Sequence, residues 1–225
     1  MADKLISEGK CLYCGSIVTQ RSMGTHLKKH LLQLENENPT AEGTVFHLYI
    51  RAAEMFLHVL VKGEASFKHL DAFLRKIWME CCGHLSQFYQ GDSKIGLIRK
   101  FDQVLVPGLK LEYDYDFGST TSVSLQVVGS YKTNLKENVL LLSRNEPLQI
   151  MGYKCEKKPA TAICTIHIEE DEGFYCDTCA AKHEEECEDF ADYANMPVVN
   201  SPRMGVCGYT GGAIDIERDG VYQTR

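Results

Sequence analysis

Cysteine and histidine gather near the two ends of this chain, and the first group reads Cys11-x2-Cys14-x11-His26-x3-His30. A thiolate pair on a tight turn and two imidazoles on successive turns of one helix can converge on the corners of a tetrahedron, the geometry of a closed structural zinc site. No other feature constrains the fold as much, because it predicts a segment held by an ion instead of by a core. The second group holds Cys155, Cys164, His167, Cys176, Cys179, His183 and Cys187. Cys164-x2-His167 and Cys176-x2-Cys179 have knuckle spacing, and His183-x3-Cys187 sets two ligands one helical turn apart. A complete cross-brace would want a ligand at position 158, which is Lys158. One full site is expected, Cys164/His167 with either Cys176/Cys179 or His183/Cys187. A second site would be incomplete or completed by water. Zinc is the expected cofactor, one ion at the first group and one or two at the second.

The length of 225 residues allows one good core with small satellites. Ten cysteines could suggest a secreted disulfide scaffold. No apolar signal segment follows MADKLISEGK and no run is long enough to cross a bilayer, so a cytoplasmic protein with metal-bound thiols and no membrane association is expected. A net charge of −7 argues against coating nucleic acid through bulk charge. Locally the balance differs. Between Lys10 and Gln33 the charges are Lys10, Arg21, Lys28 and Lys29 with no acid, whereas Cys155 to Phe190 carries acidic runs and three lysines. The two ends would attract opposite partners.

Periodicity divides the chain into a zinc finger over 1–33, a linker over 34–43, a core domain over 44–150, a zinc-binding module with a Gly/Pro-rich segment over 151–210 and a flexible tail over 211–225. The linker reading rests on LENENPTAEG, which offers no periodic apolar face. TVFHLYIRA and MFLHVLVKG alternate at period two, predicting two half-buried strands about a turn at Ala53 and Glu54. In SFKHLDAFLRKIWMECCG the apolar spacing becomes helical, with Ser66 to cap the start and Gly83 the end. HLSQFYQG reads as a strand, LIRKFDQVL as a short helix or turn, LKLEYDYDFG and TTSVSLQVVG as strands about Gly118-Ser119, and VLLLSRN as the last strand. The order β-β-α-β-β-β-β predicts an α+β fold, a β-grasp-like mixed sheet with one main amphipathic helix, flanked by two small zinc-binding modules.

The run through HLDAFLRKIW, HLSQFY, VLVPGLKLEYDYDFGSTT and NSPRMGVCGYTG resembles the plasmid pRiA open-reading-frame-three family, also labelled the insertion-sequence passenger TnpR family. The resemblance covers roughly residues 44–210 and implies a fold and a mobile-element setting more than a reaction. That family's usual core lacks the zinc ends. Its members often carry an aromatic and a His after the DFG turn, where this chain has Ser119, Thr120, Thr121 and Ser122. The first metal group resembles the two-Cys, two-His zinc finger, with Val18 and Met23 near its core positions. Gln20, Arg21 and Ser22 then stand where such a helix meets base edges. The pair order of the second group resembles a B-box or another cross-braced finger.

The remaining polar residues have plainer readings. Cys81 and Cys82 end the amphipathic helix, where Cys packs as a small hydrophobe. Cys207 is a stray ligand or a buried thiol. His47, His58, His69 and His84 lack ligand spacing, although His69 and His84 flank the helix and could face each other. Asp114 and Asp116 alternate with Tyr113, Tyr115 and Phe117, so the carboxylates should share one strand face. No phosphate-cradling glycine loop or nucleophile triad is present. The chain reads as a zinc-binding adaptor with a protein partner and weak nucleic-acid contact through the finger. The alternative is a metal-dependent hydrolase or nuclease-like enzyme using Asp114, Asp116 or an under-coordinated C-terminal zinc.

Overall fold

Alternation at period two builds the larger of two units, as a computed structural model describing residues 7–168 and 172–214 shows. A frayed start is expected over 1–10, but Glu8–Lys10 are ordered as a paired strand; residues 1–6, part of the acidic run after Ile168 and the tail from 215 onward lie outside the described residues. One unit comprises Ser7–Arg75 with His84–Glu146, and the other Lys76–Gly83 with the chain from Pro147.

The first unit is a nine-stranded sheet. Its strands are β1 (Glu8–Cys11), β2 (Ile17–Thr19), β3 (Thr44–Ala52), β4 (Met55–Lys62), β5 (Ser86–Gln90), β6 (Ser93–Ile95), β7 (Lys110–Tyr115), β8 (Thr121–Lys132) and β9 (Val139–Asn145), in spatial order β2-β1-β9-β4-β3-β8-β7-β5-β6. Every pairing is antiparallel. The mixed sheet expected of a β-grasp is therefore not what forms. Neighbours such as β3–β4, β5–β6 and β7–β8 are joined by short turns, which can only reverse the chain, whereas a parallel pair needs a crossover connection.

The β3–β4 hairpin turns at Ala53, whose φ of 48° lies in the left-handed region. β8 buries Thr121, Val123, Leu125 and Val127 in strict alternation, as a one-sided strand should. β4 departs from the half-buried expectation and is buried from Met55 to Val61, because it sits in the sheet interior with both faces covered. The short turn expected in LIRKFDQVL is a 3-10 turn over Phe101–Gln103.

Helix α1 (Gln20–Glu37) lays Met23, Leu27 and Leu31 on Val45, Phe56, Leu60, Tyr131 and Leu142 of the sheet, with Cys11 buried in the same cluster. Burying three such side chains contributes roughly 5–8 kcal/mol. The helix runs into the expected 34–43 linker. Gln33 donates to Glu37 Oε1 at 2.8 Å, and Glu35 Oε1 accepts the Lys132 backbone N–H of β8 at 2.6 Å, so LENE stays helical. β1 pairs with β9, which makes the finger strands the end of the large sheet. Gly9 fits this seam because a Cβ there would lie 2.6 Å from the Phe56 ring and 2.7 Å from the Arg144 carbonyl oxygen.

Helix α2 (Phe67–Leu74) starts after Ser66, whose N–H donates to His69 Nδ1 at 3.2 Å. Phe67 packs on Phe88 and Phe101 with ring centroids 5.1 and 4.9 Å apart. The α-helix stops earlier than the expected Gly83, continuing as a π-helical turn over Arg75–Met79.

In the second unit, β10 (Ala162–Cys164) pairs with β11 (Phe174–Tyr175) and β12 (Asn195–Pro197), and helix α3 (Asp177–Glu186) follows β11. A second π-helical turn covers Phe190–Ala194. One core cluster holds Ala162, Cys164, Tyr175, Ala180, Phe190 and Ala194. Three of those six are alanines, so little apolar area is available to offset the entropy of ordering the chain. The segment after Val199 returns to the residues that follow α2: Ser201 Oγ donates to the Trp78 carbonyl at 2.6 Å, and the Ala213 N–H to that of Lys76 at 2.7 Å.

Candidate metal centres

At the finger, β1 ends on Cys11 and the chain turns tightly. The Gly15 N–H donates to the Cys11 carbonyl at 2.8 Å and the Cys11 N–H to that of Ser16 at 2.9 Å, with Gly15 at φ 74°. That turn brings Cys14 back toward Cys11. His26 and His30 lie one turn apart on α1, and the four ligand atoms all fall within 4.8 Å of one another. Cys14 Sγ is 3.3 Å from His26 Nε2, which is 3.3 Å from His30 Nε2. Zinc–nitrogen and zinc–sulfur bonds of about 2.0 and 2.3 Å give tetrahedral edges of about 3.3 Å between nitrogens, about 3.6 Å between nitrogen and sulfur and about 3.8 Å between sulfurs. The Tyr13 ring stacks on His30 at 5.4 Å, fixing its plane. Burial raises the Cys11 thiol pKa, while hydrogen bonding from Ser16 pulls Cys14 down to about 6. One thiolate is thus available without a cation.

Two more sets form in the second unit, and their ligands alternate along the chain. Cys164, His167, His183 and Cys187 converge within 4.8 Å, as do Cys155, Cys176 and Cys179. Cys164 Sγ lies 3.1 Å from His167 Nδ1, and Cys155 Sγ lies 3.6 Å from Cys176 Sγ. The pairing of Cys164/His167 with Cys176/Cys179 does not occur. Cys176 and Cys179 sit at the start of α3 and His183 and Cys187 at its end, roughly 6 Å apart along the axis between Cys179 and His183, so the helix divides its ligands between two sets. Lys158 contributes its backbone alone: its carbonyl accepts the Gly152 N–H at 2.9 Å and its N–H bonds Cys155.

His183 is held by stacking on Tyr175 at 4.2 Å and by Phe190 at 4.9 Å. Its Nε2 is buried without a hydrogen-bond partner, a costly state that a cation would relieve. Backbone N–H groups of Lys157 and Lys158 lower the Cys155 thiol pKa to about 7, while burial and the neighbouring sulfurs raise Cys179 to about 11. Crowded sulfurs cannot all ionise unless a cation balances them. These Cys/His clusters could each bind a metal ion.

The two carboxylates do not share a strand face. Asp114 lies in β7 and accepts the Ser122 hydroxyl at 2.6 Å. Asp116 lies beyond the strand end at φ 66°, buried, with Oδ1 accepting the Gly118 N–H at 3.0 Å and 3.4 Å from His84 Nδ1. The turn breaks the alternation that would have put both on one face. His69 caps α2 and His84 faces Asp116, so each has a partner other than the one considered for it. His47 and His58 meet across the β3–β4 hairpin.

Sequence spacing missed a further sulfur group. Cys82 Sγ lies 3.8 Å from Cys81 Sγ and 3.7 Å from Cys207 Sγ. Cys82 and Cys207 are exposed and Cys81 is half-buried, so none packs as the core hydrophobe expected at a helix end. No signal in the sequence joins them, since 125 residues separate Cys82 from Cys207.

No protein-family model and no curated protein matches the sequence. Among solved structures, the crystal structure of a protein of unknown function, MM3350 from Methanosarcina mazei Go1, is similar with a TM-score of 0.37 and 17% identity. The match covers 42% of this chain and 65% of that one, so the chain spans less than two thirds of its neighbour's length. No helix among the described residues is long and apolar enough to cross a membrane.

Proposed function

We propose that this protein is a zinc-stabilised interaction module, with a finger fused to the edge of an antiparallel sheet and a cross-braced acidic module in the second unit. The carrying observation is the set of donor separations, 3.1 to 3.6 Å, close to the edges of a zinc tetrahedron. Thiolate and imidazole donors in tetrahedral array suit zinc over the oxygen-seeking cations. Cys11/Cys14/His26/His30 and Cys164/His167/His183/Cys187 would each close the coordination shell, the mark of a structural site. Cys155, Cys176 and Cys179 offer three thiolates, which together more than balance the charge of a divalent ion and make it a weak Lewis acid. A structural role therefore accounts for this set as well.

Binding follows from the two surfaces. Arg21, Lys28 and Lys29 of α1 are exposed and would contact phosphates weakly, because a lone finger reads about three base pairs. Asp177, Glu184, Glu185, Glu186 and Glu188 are exposed on and after α3 and suit a basic protein partner. The pRiA-family resemblance and a cytoplasmic, mobile-element setting belong to this proposal.

Native mass spectrometry with elemental analysis tests the reading. The purified chain should carry zinc, and His30→Ala, Cys187→Ser and Cys179→Ser should each remove one equivalent. A metal-free chain that is fully ordered would overturn it. For the surface, the salt slope of duplex binding should fall by about 2 in the Lys28→Ala/Lys29→Ala double variant.

A further inference from the structure

We infer that Cys81, Cys82 and Cys207 form an additional thiolate site for a soft divalent cation such as zinc. The three sulfurs come from two segments of the second unit that other contacts already hold together. The Trp78 carbonyl accepts Ser201 Oγ at 2.6 Å, and the Lys76 carbonyl accepts the N–H groups of Ala213 and Ile214 at 2.7 and 3.1 Å. Gly212 allows the close approach, since a Cβ there would lie 2.4 Å from the Ile77 carbonyl oxygen. Between these anchors the chain makes a turn in which Gly205, Cys207 and Gly208 take φ of 76°, 51° and 67°. Left-handed backbone is unfavourable for a residue with a Cβ, and here it delivers the Cys207 sulfur to Cys82.

The separations of 3.8 and 3.7 Å match the edge of about 3.8 Å between thiolates on one tetrahedral zinc, and are far from the bond of about 2.05 Å in a disulfide. Cys82 and Cys207 are exposed, so apolar packing does not explain why the sulfurs converge. The Arg203 side chain is fully buried and hydrogen-bonds Cys81, placing a permanent positive charge where a thiolate would form. A fourth ligand, which these three do not supply, would complete the shell. The ion would pin the segment after Val199 to the one that follows α2.

This inference stands apart from the proposed finger and cross-brace, because it uses none of their ligands. The test is elemental analysis and native mass of the full chain, unsubstituted and with Cys207→Ser, each checked by circular dichroism. The variant should lose one equivalent of metal with its fold intact, and a Cys179→Ser background should lose that same equivalent in addition to its own. Labelling supplies a readout that needs no variant. Iodoacetamide should modify Cys82 and Cys207 slowly in the native chain and at least tenfold faster after EDTA. Unchanged stoichiometry in Cys207→Ser would overturn the site, as would rapid labelling before chelation or an intact mass showing a Cys82–Cys207 disulfide. If the other sets prove metal-free, one ion lost in Cys207→Ser would still support this one.

Discussion

His47 Nε2 lies 2.9 Å from His58 Nδ1, two imidazoles sharing one hydrogen bond in the buried middle of the large sheet. Each neutral ring has one N–H and one lone pair, and their shared bond uses one of each. His47 Nδ1 and His58 Nε2 are buried without partners, so whichever ring accepts keeps an unpaired N–H. Burial lowers the His47 pKa to about 4 and, joined by repulsion from His47, lowers that of His58 well below the ordinary value.

Acid should therefore destabilise the first unit. The unfolded chain takes up a proton at each ring near pH 6.5 while the native state resists until near pH 4, so the unfolded state binds more protons between those values. Stability is full above pH 6.5 and falls as pH drops, by about 2 kcal/mol at pH 5 from His47 alone. Urea unfolding from pH 7.5 to 4.5 should show this, with a shallower slope in His47→Phe. Equal slopes in the two proteins would refute the assignment.

Asp71→Asn should cost about 3 kcal/mol of stability. The carboxylate is buried and accepts Arg75 Nε at 2.9 Å, Tyr113 Oη at 2.9 Å and Ser86 Oγ, and Arg75 also lies over the Tyr115 ring at 4.8 Å. Removing the charge leaves the guanidinium without its ionic partner while preserving side-chain volume. Chemical denaturation gives the number, and a loss under 1 kcal/mol would count against the network.

Gly9→Ala should destabilise by about 1–3 kcal/mol. The added methyl meets the Arg144 carbonyl oxygen at 2.7 Å, and backbone in a paired strand cannot move aside as a side chain could. Thermal unfolding compared with Gly43→Ala, another close approach to a carbonyl at 2.8 Å, would show whether sheet seams in general exclude a Cβ.

Metal removal should act segment by segment. After EDTA, hydrogen exchange over α3 should approach that of unstructured peptide, because the helix buries only Ala180 and His183. Amides of β3, β4 and β8 should keep their protection, since they belong to the larger apolar sheet core. Uniform loss across both units would argue against separate stabilisation.

Local pattern made the elements legible. Alternation located β3, β4, β7 and β8, and spacing grouped Cys11 with Cys14, His26 and His30, because these signals lie close together along the chain. What the sequence hid was set by tertiary position. Nothing in GKC marks it as a partner for β9, β6 was not anticipated after HLSQFYQG, and the left-handed turn at Asp116 removes a carboxylate that alternation had placed in line. The choice between two pairings at Cys164/His167 depended on which end of α3 carries which ligands. Cys81, Cys82 and Cys207 converge only through the return of the chain after Val199.

The large sheet is bounded on one side by β2 and on the other by β6, each only three residues long. Such stubs offer a second molecule almost nothing to zip against. On the finger side that protection is provided by β1 and β2, whose turn is the one that carries Cys11 and Cys14. Freed of that turn, β9 would expose the ladder of Ser143, Arg144 and Asn145 that β1 now pairs, extending the open edge along the strand. A metal bound at the finger would then guard that edge against fibrillation, and chelated protein should self-associate through β9.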